Sequence, residues 1–101
     1  MIPLPLNFIK ASWLFEQLKR NDQAAIYKRT HIEIPELIYF EAINITTQDE
    51  KVATIAGNIV TFASQEMYPG SEQFGMLGKC CMSLDRAEQY YLEFTNGDGV
   101  Q

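Results

Sequence analysis

Leu37-Ile38-Tyr39-Phe40-Glu41-Ala42-Ile43-Asn44-Ile45-Thr46 decides the class of fold. The run is β-branched and aromatic over ten residues and reads as the strongest strand in the chain. Upstream, Ile34-Pro35-Glu36 ends a strand over Ala24–Thr30, because proline donates nothing to a ladder. Asn21-Asp22 marks the turn before that strand, since both residues tolerate left-handed backbone. Downstream, Thr47–Lys51 is a polar loop, and two short strands, Val52–Ile55 and Ile59–Ala63, flank a hairpin signal at Gly57-Asn58. Met67-Tyr68-Pro69-Gly70-Ser71 is a further turn, and Lys79–Met82 is long enough for one more strand.

Ser83 opens a helix over Ser83–Thr95. It is a good N-cap, Asp85 suits the positive end of the dipole, and Asn96-Gly97 stops the helix. Leu84, Ala87, Tyr91 and Phe94 form its buried stripe, with Tyr90 beside it. Phe8–Arg20 reads two ways. Phe8, Ala11, Phe15 and Leu18 recur at helical spacing, whereas Leu14, Glu16 and Leu18 alternate as in a strand. The fold expected is α+β: a twisted antiparallel sheet of four to five strands with one C-terminal helix packed on one face and the other face solvated. One domain spans residues 1–101, with loose ends at 1–7 and 96–101.

Composition bounds the function. The chain has 101 residues, a 47% hydrophobic share and a net charge of -5, which suits one globular domain and leaves no room for separate cofactor and substrate domains. Charge is uneven along it. Residues 1–30 hold Lys10, Lys19, Arg20, Lys28 and Arg29 against Glu16 and Asp22, and the remainder holds three bases against eleven acids. The overall acidity argues against nucleic acid as a partner and favours a basic protein. The amino end has neither the basic region nor the long apolar run of a signal peptide, and no stretch approaches the ~18 apolar residues of a membrane span. Cys80 and Cys81 are adjacent and form no disulfide framework, which points to the cytoplasm. On a strand the two thiols face opposite sides.

Residues that carry chemistry are few. Asp49-Glu50 lies beside Lys51 in a polar loop and reads as solvated, as do Glu33 and Glu36 around Pro35. His31 is the single histidine, and with two neighbouring thiols it falls short of a zinc ligand set. A Cys–His dyad would have to form in space, and no nucleophile-elbow signature supports one. Gly75 and Gly78 read as turn residues rather than a phosphate cradle. No cofactor, metal or catalytic residue is expected. Trp13, Tyr68 and Phe74 lie in or near loops and are the candidates for an exposed partner-binding patch, against the alternative that they are core-edge aromatics. Tyr27, Tyr39 and Phe40 are expected in the core or on a sheet face.

The order Tyr68-Pro69-Gly70-Ser71-Glu72-Gln73-Phe74-Gly75, then Gly78, Ser83-Leu84-Asp85-Arg86-Ala87 and Phe94, resembles small bacteriophage and prophage proteins of unknown function that carry a Y-P-x-x-E-x-[WF]-G turn. Ala25-Ile26-Tyr27 and Tyr39-Phe40-Glu41-Ala42-Ile43 match the two strands that precede the turn in those proteins. The resemblance covers roughly residues 14–94 and tips Trp13–Leu18 toward strand. It implies an accessory protein in the host cytoplasm that acts by binding, for example one that inhibits or regulates a nucleic-acid-handling defence complex. The aromatic–glycine–helix order is also similar to the WGR domain, but Phe74-Gly75-Met76 lacks that domain's arginine. This alternative, a nucleic-acid-associated module using the basic amino-terminal third, would rest on Lys10 to Arg29.

Overall fold

A computed structural model describes residues 1–96. Five strands form one antiparallel sheet: β1 (Asn7–Lys10), β2 (Trp13–Arg20), β3 (Ala24–His31), β4 (Ile38–Asn44) and β9 (Gly78–Cys81), in the order β1-β2-β3-β4-β9. Between β4 and β9 the chain runs out and back through two ribbons. β5 (Thr46–Gln48) pairs with β8 (Gln65–Met67), and β6 (Lys51–Ile55) pairs with β7 (Asn58–Phe62). The helix α1 (Leu84–Asn96) packs on one face of the sheet. The fold is α+β, with the five-stranded sheet and C-terminal helix that the sequence leads one to expect.

Phe8–Arg20 is neither a helix nor one strand. It is a hairpin, β1–β2, whose turn residues Ala11 and Ser12 have φ of 52° and 69°. Both lie in the left-handed region that a two-residue type I′ turn requires and that side chains other than Gly and Asn adopt at a cost. The mixed periodicity of this segment follows from the break. Ile45 also interrupts the ten-residue strand signal, so that Ile38–Asn44 joins the sheet and Thr46–Gln48 leaves it.

The Asn21 side chain closes the β2–β3 turn, its Oδ1 accepting from the Gln23 and Ala24 amides at 2.7 and 2.9 Å. Ser83 caps α1 through the Arg86 amide at 3.3 Å. The helix buries Ala87, Tyr91 and Phe94 but leaves Leu84 exposed, because Leu84 lies at the first turn, before the stripe meets the sheet. The expected stop at Gly97 and the tail lie outside the described residues.

The second sheet face is covered, contrary to the expectation of a solvated one. Leu4, Phe15, Ala25, Tyr27 and Ile43 form a buried cluster there, with Phe8, Trp13, Ile45, Tyr68 and Phe74 packed against it. Its lid is irregular chain. Residues 1–6 are held and not loose: Leu4 is 4% exposed, its amide donates to Glu66 Oε1 at 3.0 Å, and Ile2 bridges to Gln65. Tyr27 Oη donates to the Pro5 carbonyl at 2.5 Å. Gly78 is a strand residue and not a turn residue, paired with Ile43, and it is glycine because a Cβ there would stand 3.0 Å from the Phe74 ring.

A β-bulge at Leu18 sets which cation meets which face. Gln17 pairs with Tyr27, but Lys19 pairs with Ile26, so the parity of the strand flips across Leu18. Lys19 then reaches Glu88 on the helix side, and Arg20 reaches Glu66 on the other with two contacts of 2.5 and 2.8 Å.

Two outcomes follow. Replacing Ala11 and Ser12 by Asn and Gly relieves the turn and raises stability by about 1 kcal/mol in chemical denaturation; an unchanged or lower value contradicts the strained turn. Glu66 is held down to about 2 by the Arg20 guanidinium and the Leu4 amide, below its ordinary 4.5. A lowered carboxylate contributes stability above its unfolded value and loses it as pH falls through the folded one. Between about pH 4.5 and 2 the protein therefore loses about 1–3 kcal/mol, allowing for solvent screening of a partly exposed pair. Glu66→Gln is less stable at neutral pH and loses this part of the acid dependence, which pH-resolved urea titrations measure.

Candidate functional site

The face away from the helix carries the candidate site. Along β2, β3 and β4 the side chains of Trp13, Phe15, Arg29, Tyr39 and Glu41 alternate onto it, and Cys80 joins them from β9 as the cross-strand partner of Glu41. From β1, Phe8 and Lys10 lie opposite Phe15 and Trp13. The Tyr68–Phe74 segment closes the far side. These elements enclose an open concavity of about 300 Å³, walled by Phe8, Trp13, Phe15, Tyr68 and Phe74.

A polar floor crosses this aromatic wall. Glu41 is 3% exposed. Arg29 Nη1 donates to Glu41 Oε2 at 2.7 Å, and the Tyr68 hydroxyl donates to Glu41 Oε1, so both carboxylate oxygens are engaged. Arg29 and Glu41 are diagonal neighbours on adjacent antiparallel strands, within reach of long side chains. The Arg29 guanidinium stacks 4.0 Å from the Trp13 ring centroid, and Phe15 lies 5.6 Å away. Arg29 Nε is buried without an acceptor among the described residues. Burial, with Glu41 beside it, pushes the Tyr68 hydroxyl far above the usual phenol range, so it remains a donor.

Trp13, Tyr68 and Phe74 therefore come together at one place, placed as the core-edge alternative has them and not as an exposed patch. All three are half-buried and pack against the buried cluster. They are walls of a recess, and they serve the core at the same time. Glu41 is not among the residues singled out from the sequence, and Lys10 and Arg29 stand there only as members of the basic set of the nucleic-acid alternative. Glu41 alone carried a signal: a carboxylate between Phe40 and Ala42 in the most apolar strand must be paired if that strand is central.

The dyad alternative is not assembled. His31 Nδ1 accepts from the Glu33 and Ile34 amides at 3.2 Å each and caps the chain reversal at Pro35. Cys80 pairs with Glu41, which pairs with Tyr27, so His31 stands four residues further along and two strands across, about 13 Å along the strand direction alone. Cys80 is exposed and Cys81 buried, on opposite faces. Burial pushes both thiols up, and Glu41 adds to the effect on Cys80 against the opposing Arg29. Among the described residues no three His, Cys, Asp or Glu side chains are placed to hold a metal ion. Among them, too, no helix is long and apolar enough to cross a membrane.

The basic third is largely neutralised. Lys19, Arg20 and Arg29 pair with Glu88, Glu66 and Glu41, and three of the five cations that a phosphate backbone would need are thereby spent within the fold. Comparison with protein-family profiles, with curated proteins and with solved structures returns no match.

The raised thiols set an expected rate. Cys80 reacts with a disulfide reagent more slowly than a free cysteine peptide at neutral pH and speeds up as pH rises past the ordinary thiol range. Fast, stoichiometric labelling at pH 7 would contradict this placement.

Proposed function

We propose that this protein is a non-enzymatic accessory protein that works by binding a basic protein partner, and that the β6–β7 arm makes the contact. The observation that carries the reading is the exposure of that arm. β6 and β7 pair with each other and pack substantially on no other element among the described residues. Val52, Ile55, Ile59 and Phe62 are all exposed, Ile59 at 78% and Val52 at 64%. Val52 and Ile59 share one face of the ribbon and Ile55 and Phe62 the other, so the arm offers apolar side chains on both faces. Isolated two-stranded hairpins are marginal in water, and exposed apolar surface of this kind marks interaction elements. The Cα radius of gyration, 15.2 Å, exceeds the ~13 Å of a compact chain of this length, as a projecting element requires.

Charge selects the partner. Asp49 and Glu50 are exposed at the foot of the arm, within a stretch of sequence in net acidic balance. An apolar groove with a basic rim on the partner fits this pattern. A nucleic-acid-handling complex of the host, basic where it meets phosphates, would suit this pattern, and the resemblance of the Tyr68–Gly75 turn to phage proteins supports that setting and a cytoplasmic one. The arm is an interaction element whichever host system it meets.

Affinity capture from host lysate with the wild-type chain and with Ile59→Lys, a substitution at a fully projecting side chain, tests the reading. The expected result is a basic partner retained by the wild type, weakened by salt and lost with Ile59→Lys, while the melting temperature is unchanged. Identical capture by both proteins, or none above background at low and moderate salt, overturns it.

A further inference from the structure

We infer that the aromatic concavity is a second, separate site, and that it binds a ring-sized apolar group carrying a carboxylate. The volume of about 300 Å³ is at the small end of ligand-binding pockets and suits one aromatic side chain or a free acid of that size. Five aromatic rings wall it, and such walls take a planar apolar body by edge and face contacts.

Charge decides what the body carries. Three charged side chains line the recess, Lys10 and Arg29 positive and Glu41 negative. Glu41 is fully engaged by Arg29 and Tyr68, so it offers nothing to a cation. Lys10 is exposed and makes no ion pair among the described residues. The recess thus holds one uncompensated positive charge on a protein of net charge -5. A cationic ligand would meet Lys10 and a stacking position over Trp13 that Arg29 already occupies. A neutral ring would leave Lys10 unused. An anion at the mouth pairs with Lys10, and the part of the Arg29 side chain that stays accessible, 24% of it, adds positive charge behind it.

The position of the mouth is enforced. Lys10 and Trp13 flank the Ala11-Ser12 turn, the one place outside the arm where non-glycine residues hold positive φ among the described residues. The Ser12 carbonyl accepts from the Ile32 amide at 2.9 Å, which ties the turn to the end of β3. Strain of this kind persists where surrounding structure over-determines it and is concentrated at ligand clamps.

Trp13 is the only tryptophan, so its indole N–H gives a single nuclear magnetic resonance cross-peak at the site. N-acetylphenylalanine, its neutral amide and phenylacetate are titrated against the full chain. A saturable shift of the Trp13 peak is expected with N-acetylphenylalanine at or below about 1 mM, weakened at least about tenfold in the amide and by Lys10→Glu. Lys10 is exposed, so that variant keeps its fold, which the remaining cross-peaks verify. Comparable binding of phenylacetate assigns the site to free aromatic acids, and a preference for N-acetylphenylalanine assigns it to the carboxyl terminus of a peptide; both support the shared chemistry. No saturable shift, equal binding of the amide, or indifference to Lys10→Glu overturns the inference, and none of these outcomes touches the arm.

Discussion

Ala24, Ala25, Ile26 and Tyr27 expose no surface, so β3 is sealed on both faces over consecutive residues. An antiparallel sheet of this size usually leaves one face to water. Here each face needs a cover, and the described residues hold only one α-helix to give. Ala87, Tyr91 and Phe94 of α1 cover Ala24, Ile26 and Ala42. The other cover is residues 1–6 and 68–74, irregular apart from a 3-10 turn at Ser71–Gln73, which brings unpaired backbone groups against a buried surface. Those groups must find partners. The Leu4 amide goes to Glu66, the Pro5 carbonyl to Tyr27 Oη, the Leu6 carbonyl to the Gln17 amide and the Ile2 amide to the Ser64 carbonyl. Glu66, in turn, needs Arg20. The amino-terminal strap, the β8 strand and the bulged end of β2 are one hydrogen-bonded unit, and its purpose is to cap β3.

The same unit explains what becomes of the charge asymmetry in the sequence. A basic first third and an acidic remainder suggest two surfaces of opposite sign. Folding lays the one against the other. Because the bulge at Leu18 turns Lys19 and Arg20 to opposite faces, each meets a carboxylate from the acidic portion, Glu88 on α1 and Glu66 on β8. Arg29 meets Glu41 inside the sheet. A phosphate-binding surface needs unpaired cations, and the pairing removes most of them from the amino-terminal third.

What could be read from the sequence divides along physical lines. β3, β4, the β6–β7 hairpin and the cap and stripe of α1 depend on local signals: β-branched runs, a glycine turn, a serine cap and a 3.6-residue period. These were legible, with the hairpin turn one residue earlier than expected, at Ala56-Gly57, where φ is 52° and 82°. The β1–β2 turn was not, because Ala and Ser are unfavourable in left-handed backbone and give no signal there. The three-residue strands β5 and β8 were too short to show a period. The aromatic members of the concavity were visible as residues but not as a recess, since Trp13, Tyr68 and Phe74 meet only through pairing across four strands. Arg29 was counted as one unit of charge; its stacking on Trp13 depends on the register Phe15↔Arg29, Trp13↔His31, which no local pattern encodes.

The Arg29–Glu41–Tyr68 arrangement is an odd choice if stability were its only purpose. A buried ion pair seldom outperforms a well-packed apolar pair of the same volume, because desolvation offsets the Coulomb attraction. Glu41 sits beside Phe40, Ala42 and Ile43, and Arg29 leaves Nε without an acceptor, so the cost of burial is only partly recovered. Ile or Met at these positions would continue the cluster of Phe15, Tyr27 and Ile43 and close the recess. The pair instead keeps a polar floor under five aromatic walls and fixes a guanidinium over the Trp13 ring. Rings alone would collapse onto one another and fill the space. An arginine pinned by its carboxylate holds them apart, and the opening it preserves has Lys10 at its edge.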